Sequence, residues 1–527
     1  MTPPRGPGPG DASQRDGREG ERAVNDRGLA RGTRPIARRT FSGAAALTLI
    51  GALGACTGEG RADVVLVGRT PTSTVLPDDD IVATALALST TLFDAADVAL
   101  VAAEEDAVGA LAPLGAETGL PLLVGAGTEV AEELSRLGAR TVVTIEGADL
   151  SALGGEIEVL AIDPASRDLD LPQVGYEHHP LPILLCLDPS ADSPGRELAA
   201  AVVTGAGGEV TDMPGGDAGR SHTTIAAIRK TAGEDPSVGV LALGESFGQP
   251  EDWAPALKRV LAAPELPGGG TTAFPGRRMI AAYGSPGTPS LGVLGEQDLP
   301  ATITRVQELA AEYEGLGEEP VVPALEVIAT VADSDPGPDG DYSRDLPASA
   351  LREWVDAAGD AGAYVVLDLQ PGTTDFLTQA RLFEDLLTAP HVGLALDAEW
   401  RLAPGKKHLA QIGSVTAAEI NEVSTWLADL TEEHSLPQKV LILHQFAGSM
   451  IRDRQDVDTS RPELAITLHA DGHGTPEDKL GTYQALQQGL PDGIAMAWKN
   501  FYDEDSPMLT PEETFAIEPR PWFVSYQ

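Results

Sequence analysis

His391-Val392-Gly393-Leu394-Ala395-Leu396-Asp397-Ala398-Glu399-Trp400 reads as a short buried strand, Val392 to Leu396, ending in two carboxylates. Residues i and i+2 of a strand point to the same face, so Asp397 and Glu399 are expected on one wall. If the strand belongs to a parallel barrel, that wall is the mouth where chemistry sits. A D-x-E pair there supplies what glycosidic acid/base cleavage needs. The same pair also serves as a loop cap or an ion-pair partner.

Outward from this stretch, residues 277–527 divide into eight strand–helix steps. The strands are expected at Met279–Tyr283, Val321–Val331, Tyr364–Leu369, Val392–Leu396, Val440–Leu443, Leu464–His469, Gly493–Trp498 and Trp522–Tyr526. Helices are expected at Ala301–Tyr313, Ala348–Ala361, Thr374–Leu387, Ala417–Glu433 and Pro476–Gly489. Eight steps over this length match the size and period of a (β/α)8 TIM barrel.

Polar residues collect where those strands end, which makes that face the expected site. Glu399 and Asp397 are the first catalytic candidates, with Asp368 and Asp471 the next carboxylates. Tyr283, Glu326, Gln370, Trp400, His444, His469, Lys499 and Asp503 are candidates for substrate binding. Each has a plainer reading. Glu326 can be a buried acid paired with Lys499, and His444 can simply bond a backbone carbonyl. His469, Asp471 and His473 alternate, so they form either a metal-binding turn or, as preferred here, a solvated one. No resident metal or other cofactor is expected.

Before the barrel, Gly268–Gly276 (GGGTTAFPG) is a Gly/Pro-rich joint and marks the expected domain boundary. Residues 62–270 alternate short apolar strands with Ala-rich helices, the pattern of a Rossmann-like, mainly parallel α/β sheet. No G-x-G-x-x-G follows a strand and there is no Walker-type loop, so nucleotide binding has little support.

Residues 1–56 form a leader. A Gly/Pro/charge-rich tail is followed by Arg38-Arg39-Thr40-Phe41-Ser42, a short apolar run and Leu53-Gly54-Ala55-Cys56. A run too short to span a bilayer, placed after twin arginines, reads as an export signal. The closing tetrad resembles the lipobox of bacterial lipoproteins, which implies a lipid anchor at Cys56. The other cysteine, Cys186, lies in the apolar run PILLCL and is expected to be an inert core residue.

The charge balance fits a salty or extracellular setting, or simply an acid-rich proteome. Lys+Arg total 36 against Asp+Glu 80, a net charge of −44 over 527 residues. That charge argues against nucleic-acid partners and against electrostatic docking on anionic lipid. Aromatics are only 5%, so any sugar-stacking platform must be small and local.

Three resemblances sharpen these expectations. Residues 82–147, with an Ala-Asp-Val strand, a GLPLLVG strand and Leu-Gly-Ala-Arg-Thr-Val, resemble a type 2 cell-wall-binding repeat. Residues 158–262 read as a degenerate second copy. The family's Phe-Pro-Asp turn is replaced by Glu104-Glu105-Asp106-Ala107, and an acidic module would repel the anionic polymers that the family binds. Asp397-Ala398-Glu399 is similar to the end of the chitinase-type D-x-x-D-x-D-x-E motif and to the D-x-E of barrel lysozymes. The two earlier aspartates fall on Val392 and Ala395 here. The resemblance implies Glu399 as general acid, Asp397 as its orienting partner and Trp400 as a sugar platform. The barrel as a whole is similar to an uncharacterised group of secreted actinobacterial lipoproteins.

The expected function is therefore an exported, lipid-anchored envelope protein acting on or binding a cell-wall or extracellular glycan. The alternative is a non-catalytic cell-surface binding protein. A metal-dependent amidohydrolase is a weaker reading, because Tyr283-Gly284-Ser285 stands where that class has H-x-H.

Overall fold

Apolar runs rich in Val, Ile, Leu and Ala suit strands covered on both faces. Eight of them close into a barrel: β1 (Arg278–Gly284), β2 (Val321–Ala332), β3 (Tyr364–Leu369), β4 (Val392–Asp397), β5 (Lys439–Gln445), β6 (Leu464–Ala470), β7 (Ala495–Asn500) and β8 (Phe523–Tyr526). Consecutive strands pair in parallel, and β8 pairs with β1 to complete the ring. The C-terminal half is a parallel (β/α)8-type barrel, as expected. The structure is a computed structural model, and it describes residues 62–154, 157–163, 174–176, 180–406 and 411–527. The leader, with Arg38, Arg39 and Cys56, lies outside the described residues.

Alternation sorts each strand. Met279, Ala281, Val322, Ala324, Tyr364, Val366, Ala395, Val440, Ile442, Ala465, Ala497 and Phe523 form one buried cluster inside the ring. Their neighbours, such as Ile280, Leu325, Val365, Leu394 and Leu441, pack outward against the helices. The interior is crowded at Gly393, where an added Cβ would lie 2.5 Å from the Val440 carbonyl oxygen and 2.9 Å from the Tyr364 hydroxyl. A side chain there would force the strands apart.

The outer helices follow the expected spans closely at Leu299–Ala311, Ala348–Asp360, Ala417–Glu433 and Pro476–Gln487. The span expected as a single helix over Thr374–Leu387 is broken into Phe376–Ala380, a 3-10 turn and Glu384–Leu387. An unexpected short strand, Ser343–Asp345, pairs antiparallel with the end of β2.

The region before the barrel contains two four-stranded parallel sheets. One orders 122–124, 98–102, 141–145 and 158–162; the other orders 209–212, 184–187, 240–243 and 74–76. A mixed three-stranded sheet adds 93–96, 62–66 and 174–176. Cys186 is buried in the second sheet, and burial pushes its thiol well above the ordinary range.

The Gly268–Gly276 joint is mostly packed, with Gly268 and Pro275 exposed. Thr271, Ala273 and Phe274 are buried, and the Arg277 guanidinium donates to the carbonyls of Gly269 at 2.7 Å and Thr272 at 2.9 Å. The Thr271 carbonyl accepts from the Gln438 backbone N–H, just before β5. Residues Gly60–Gln527 form one compact unit. Among the described residues, no helix is long and apolar enough to cross a membrane.

Candidate functional site

One further step of two residues along each interior row reaches a polar side chain. Tyr283 follows Ala281, Glu326 follows Ala324, Asp368 follows Val366 and Asp397 follows Ala395. His444 follows Ile442, His469 follows Thr467, Lys499 follows Ala497 and Ser525 follows Phe523. All eight strands thus place one polar group in a single layer at the C-terminal end of the barrel, where barrel enzymes keep their chemistry. Strand register brings Tyr283 opposite Glu326, Asp397 opposite His444, and His444 opposite His469.

The layer is a connected polar network. His444 Nε2 lies 3.0 Å from Glu326 Oε1, and its Nδ1 lies 2.9 Å from Asp471 Oδ2. A carboxylate on each ring nitrogen calls for a donor at both, so His444 is an imidazolium in this arrangement. The Tyr283 hydroxyl donates to Asp368 Oδ2 at 3.0 Å, and Ser525 Oγ lies 3.2 Å from His469 Nε2. The Lys499 ammonium sits 3.4 Å from the centre of the Tyr283 ring.

Above this layer opens a cavity of about 420 Å³. Tyr283, Gln370, Asp397, Glu399, Trp400, Asp471 and Lys499 line it. Phe446 and Phe501 add apolar wall. They are absent from the sequence-derived set, and an aromatic one residue past the polar end of β5 or β7 is the signal that marks them.

Asp397 and Glu399 both reach the cavity, but not by strand alternation. β4 stops at Asp397 and the chain enters a 3-10 turn, Ala398–Trp400. Asp397 caps that turn, accepting from the Glu399 backbone N–H at 3.2 Å. The two acids therefore share a wall because one caps the turn that carries the other.

Burial sets most of the protonation states. Burial raises Glu399 above its ordinary value, with the Asp471 charge adding to it and Lys499 and His444 opposing. Asp397 is raised well above the carboxylate range by burial, reinforced by Asp368, Asp471 and Glu399 against His444. Burial pushes Asp368 up to about 6, with His444 the main opposing influence. Glu326 and Asp471 are both lowered: burial works against ionisation in each, and the imidazoles outweigh it for Glu326, His444 chiefly for Asp471. His444 is raised well above its ordinary value, since Glu326 and Asp471 outweigh its burial. His469 is lowered by burial.

The remaining expected site residues are placed differently. Glu326, Asp368, His444 and His469 are fully buried beneath the cavity rather than lining it. Glu326 pairs with His444, not with Lys499, because Lys499 turns over the Tyr283 ring. His444 bonds two carboxylates rather than a backbone carbonyl. Asp503 is exposed on the loop after β7 and does not line the cavity, while its neighbour Asp505 is buried against the Lys479 ammonium. His473 separates from His469 and packs edge-on against Phe501 at the rim, 5.8 Å between ring centres.

No family model matches the chain, and no curated protein matches it either.

Proposed function

We propose that the chain is an exported envelope lipoprotein whose barrel hydrolyses a cell-wall or extracellular glycan. The observation that carries the catalytic part is the shared cavity of Glu399, Asp397 and Asp471. Glycosidic cleavage needs one carboxyl that holds a proton and another that stays ionised within reach of the same bond. Glu399, whose hold on a proton is strengthened by partial burial, is the general acid. Asp397 caps its turn and orients it.

Of the two remaining carboxylates, Asp471 lines the cavity and Asp368 does not, so Asp471 is the second catalytic carboxylate. Its Oδ2 is fixed by His444 Nδ1. Trp400, Phe446 and Phe501 give the apolar surface on which a sugar ring stacks. Export and anchoring rest on Arg38-Arg39 and on Leu53–Cys56.

The direct test is incubation of the purified protein with cell-wall glycans and assay of new reducing ends. Release of reducing ends supports the hydrolase. Saturable glycan binding without release would make the barrel a binding module instead.

A further inference from the structure

Beneath the cavity, Glu326, His444 and His469 each offer one ligand atom, and these atoms all lie within 4.8 Å of one another. Glu326 Oε1 is 3.0 Å from His444 Nε2 and 3.7 Å from His469 Nδ1. Asp368 Oδ1 stands 3.8 Å from the same His444 nitrogen. Metal–nitrogen and metal–oxygen bonds of about 2.0–2.1 Å place tetrahedral ligands roughly 3.3 Å apart. Glu326, His444 and His469 come near these spacings, and Asp368 approaches the group at the His444 nitrogen.

A second observation points the same way. His469 Nδ1, Glu326 Oε2 and Asp368 Oδ1 are buried polar atoms with no hydrogen-bond partner among the described residues. All three residues are fully buried, so water from the cavity is not an evident substitute. Leaving such atoms unsatisfied is costly, and a cluster of them around one point is what a cation resolves.

The outer contacts also fit. A metal-bound imidazole characteristically gives its other nitrogen to a carboxylate or hydroxyl, which fixes the ring. His444 Nδ1 meets Asp471 at 2.9 Å, and His469 Nε2 meets Ser525 Oγ at 3.2 Å. The second oxygen of Asp368 is held by the Tyr283 hydroxyl at 3.0 Å.

We propose that Glu326, His444 and His469, with Asp368 as the fourth ligand, bind a first-row divalent transition metal such as Zn²⁺. Two imidazoles and two carboxylates favour such an ion over Mg²⁺ or Ca²⁺, which prefer all-oxygen shells. The inference goes beyond the hydrolase reading and does not depend on it. The metal braces the floor on which Asp471 and Tyr283 rest, whether the cavity above cleaves a glycan or only holds one.

The test uses the full chain without a histidine tag, stripped with a chelator and titrated with Zn²⁺. A single equivalent should bind at micromolar or lower concentration and raise the thermal midpoint. X-ray absorption should show two imidazole nitrogens at the metal. His469→Ala should abolish that equivalent, and Ser525→Ala, which keeps every ligand, should weaken it about 10–100-fold. Absence of stoichiometric binding by the wild-type protein overturns the proposal. So does an equivalent that persists in His469→Ala. Should that variant not fold, a wild-type absorption spectrum without two imidazoles overturns it equally.

Discussion

The Lys499 ammonium stands 3.4 Å from the centre of the Tyr283 ring, at the mouth of the barrel. A cation over an aromatic face in a partly dry site is held by about 2 kcal/mol. Tyr283 in turn donates to Asp368, so one positive charge steadies the phenol beside the buried carboxylates. That charge also reaches Glu399, where it favours ionisation.

Lys499→Met should therefore push the Glu399 proton affinity higher. A general acid works only while protonated, so activity falls as pH rises through its pKa. In the variant, the alkaline limb of the kcat/KM profile should move to higher pH. A limb that stays in place, or moves down, would show that Lys499 does not govern Glu399.

At the opposite end of the barrel, Lys439 is fully buried and donates to the carbonyls of Ala389 at 3.0 Å and Val392 at 2.8 Å. Burial pulls its pKa down to about 7. Below that pH the folded chain holds a buried charge and bears the full penalty. Between about 7 and the ordinary lysine value near 10.4, the unfolded chain binds a proton that the folded one has lost, so stability rises with pH. Lys439→Met should remove this rise, on the order of a few kcal/mol, in urea unfolding measured across that range. An unchanged slope would mean that Lys439 titrates normally.

Trp400 lines the cavity beside Glu399. Loss of a stacking face costs about 0.5–1.5 kcal/mol, so Trp400→Ala should raise KM roughly three- to tenfold with kcat less affected. A fall in kcat alone would place Trp400 in turn geometry rather than in sugar binding.

Export makes a separate prediction. Cys56→Ala should leave the chain unlipidated and move it from the membrane fraction to the soluble one. A variant that stays in the membrane fraction with its leader intact would contradict the anchor.

The barrel was legible because each strand is a concentrated apolar run, and Val392–Asp397 or Leu464–Ala470 admits little else. Short polar strands were not. Glu209–Asp212 and Ser343–Asp345 owe their conformation to the strands they pair with, and Phe93–Ala96 follows directly on a helix whose apolar pattern runs into it. At the site, the polar strand ends stood out by residue type, but their partners did not. The meeting of Glu326 with His444 depends on closure across the ring, between residues far apart in the chain. The phase of alternation does carry a usable signal: Tyr283, Glu326, Asp368 and His444 each stand two residues after an apolar interior position. Glu399 reaches the cavity by a different route than strand alternation, since the 3-10 turn capped by Asp397 carries it.

Glu399→Gln is the most direct measurement. It keeps the shape of the side chain and removes the proton that the leaving oxygen needs. With wall glycan as substrate, reducing-end release should fall by at least about a hundredfold while glycan binding by calorimetry is retained. Wild-type turnover in Glu399→Gln would contradict the acid assignment, even for a protein proven to be a hydrolase.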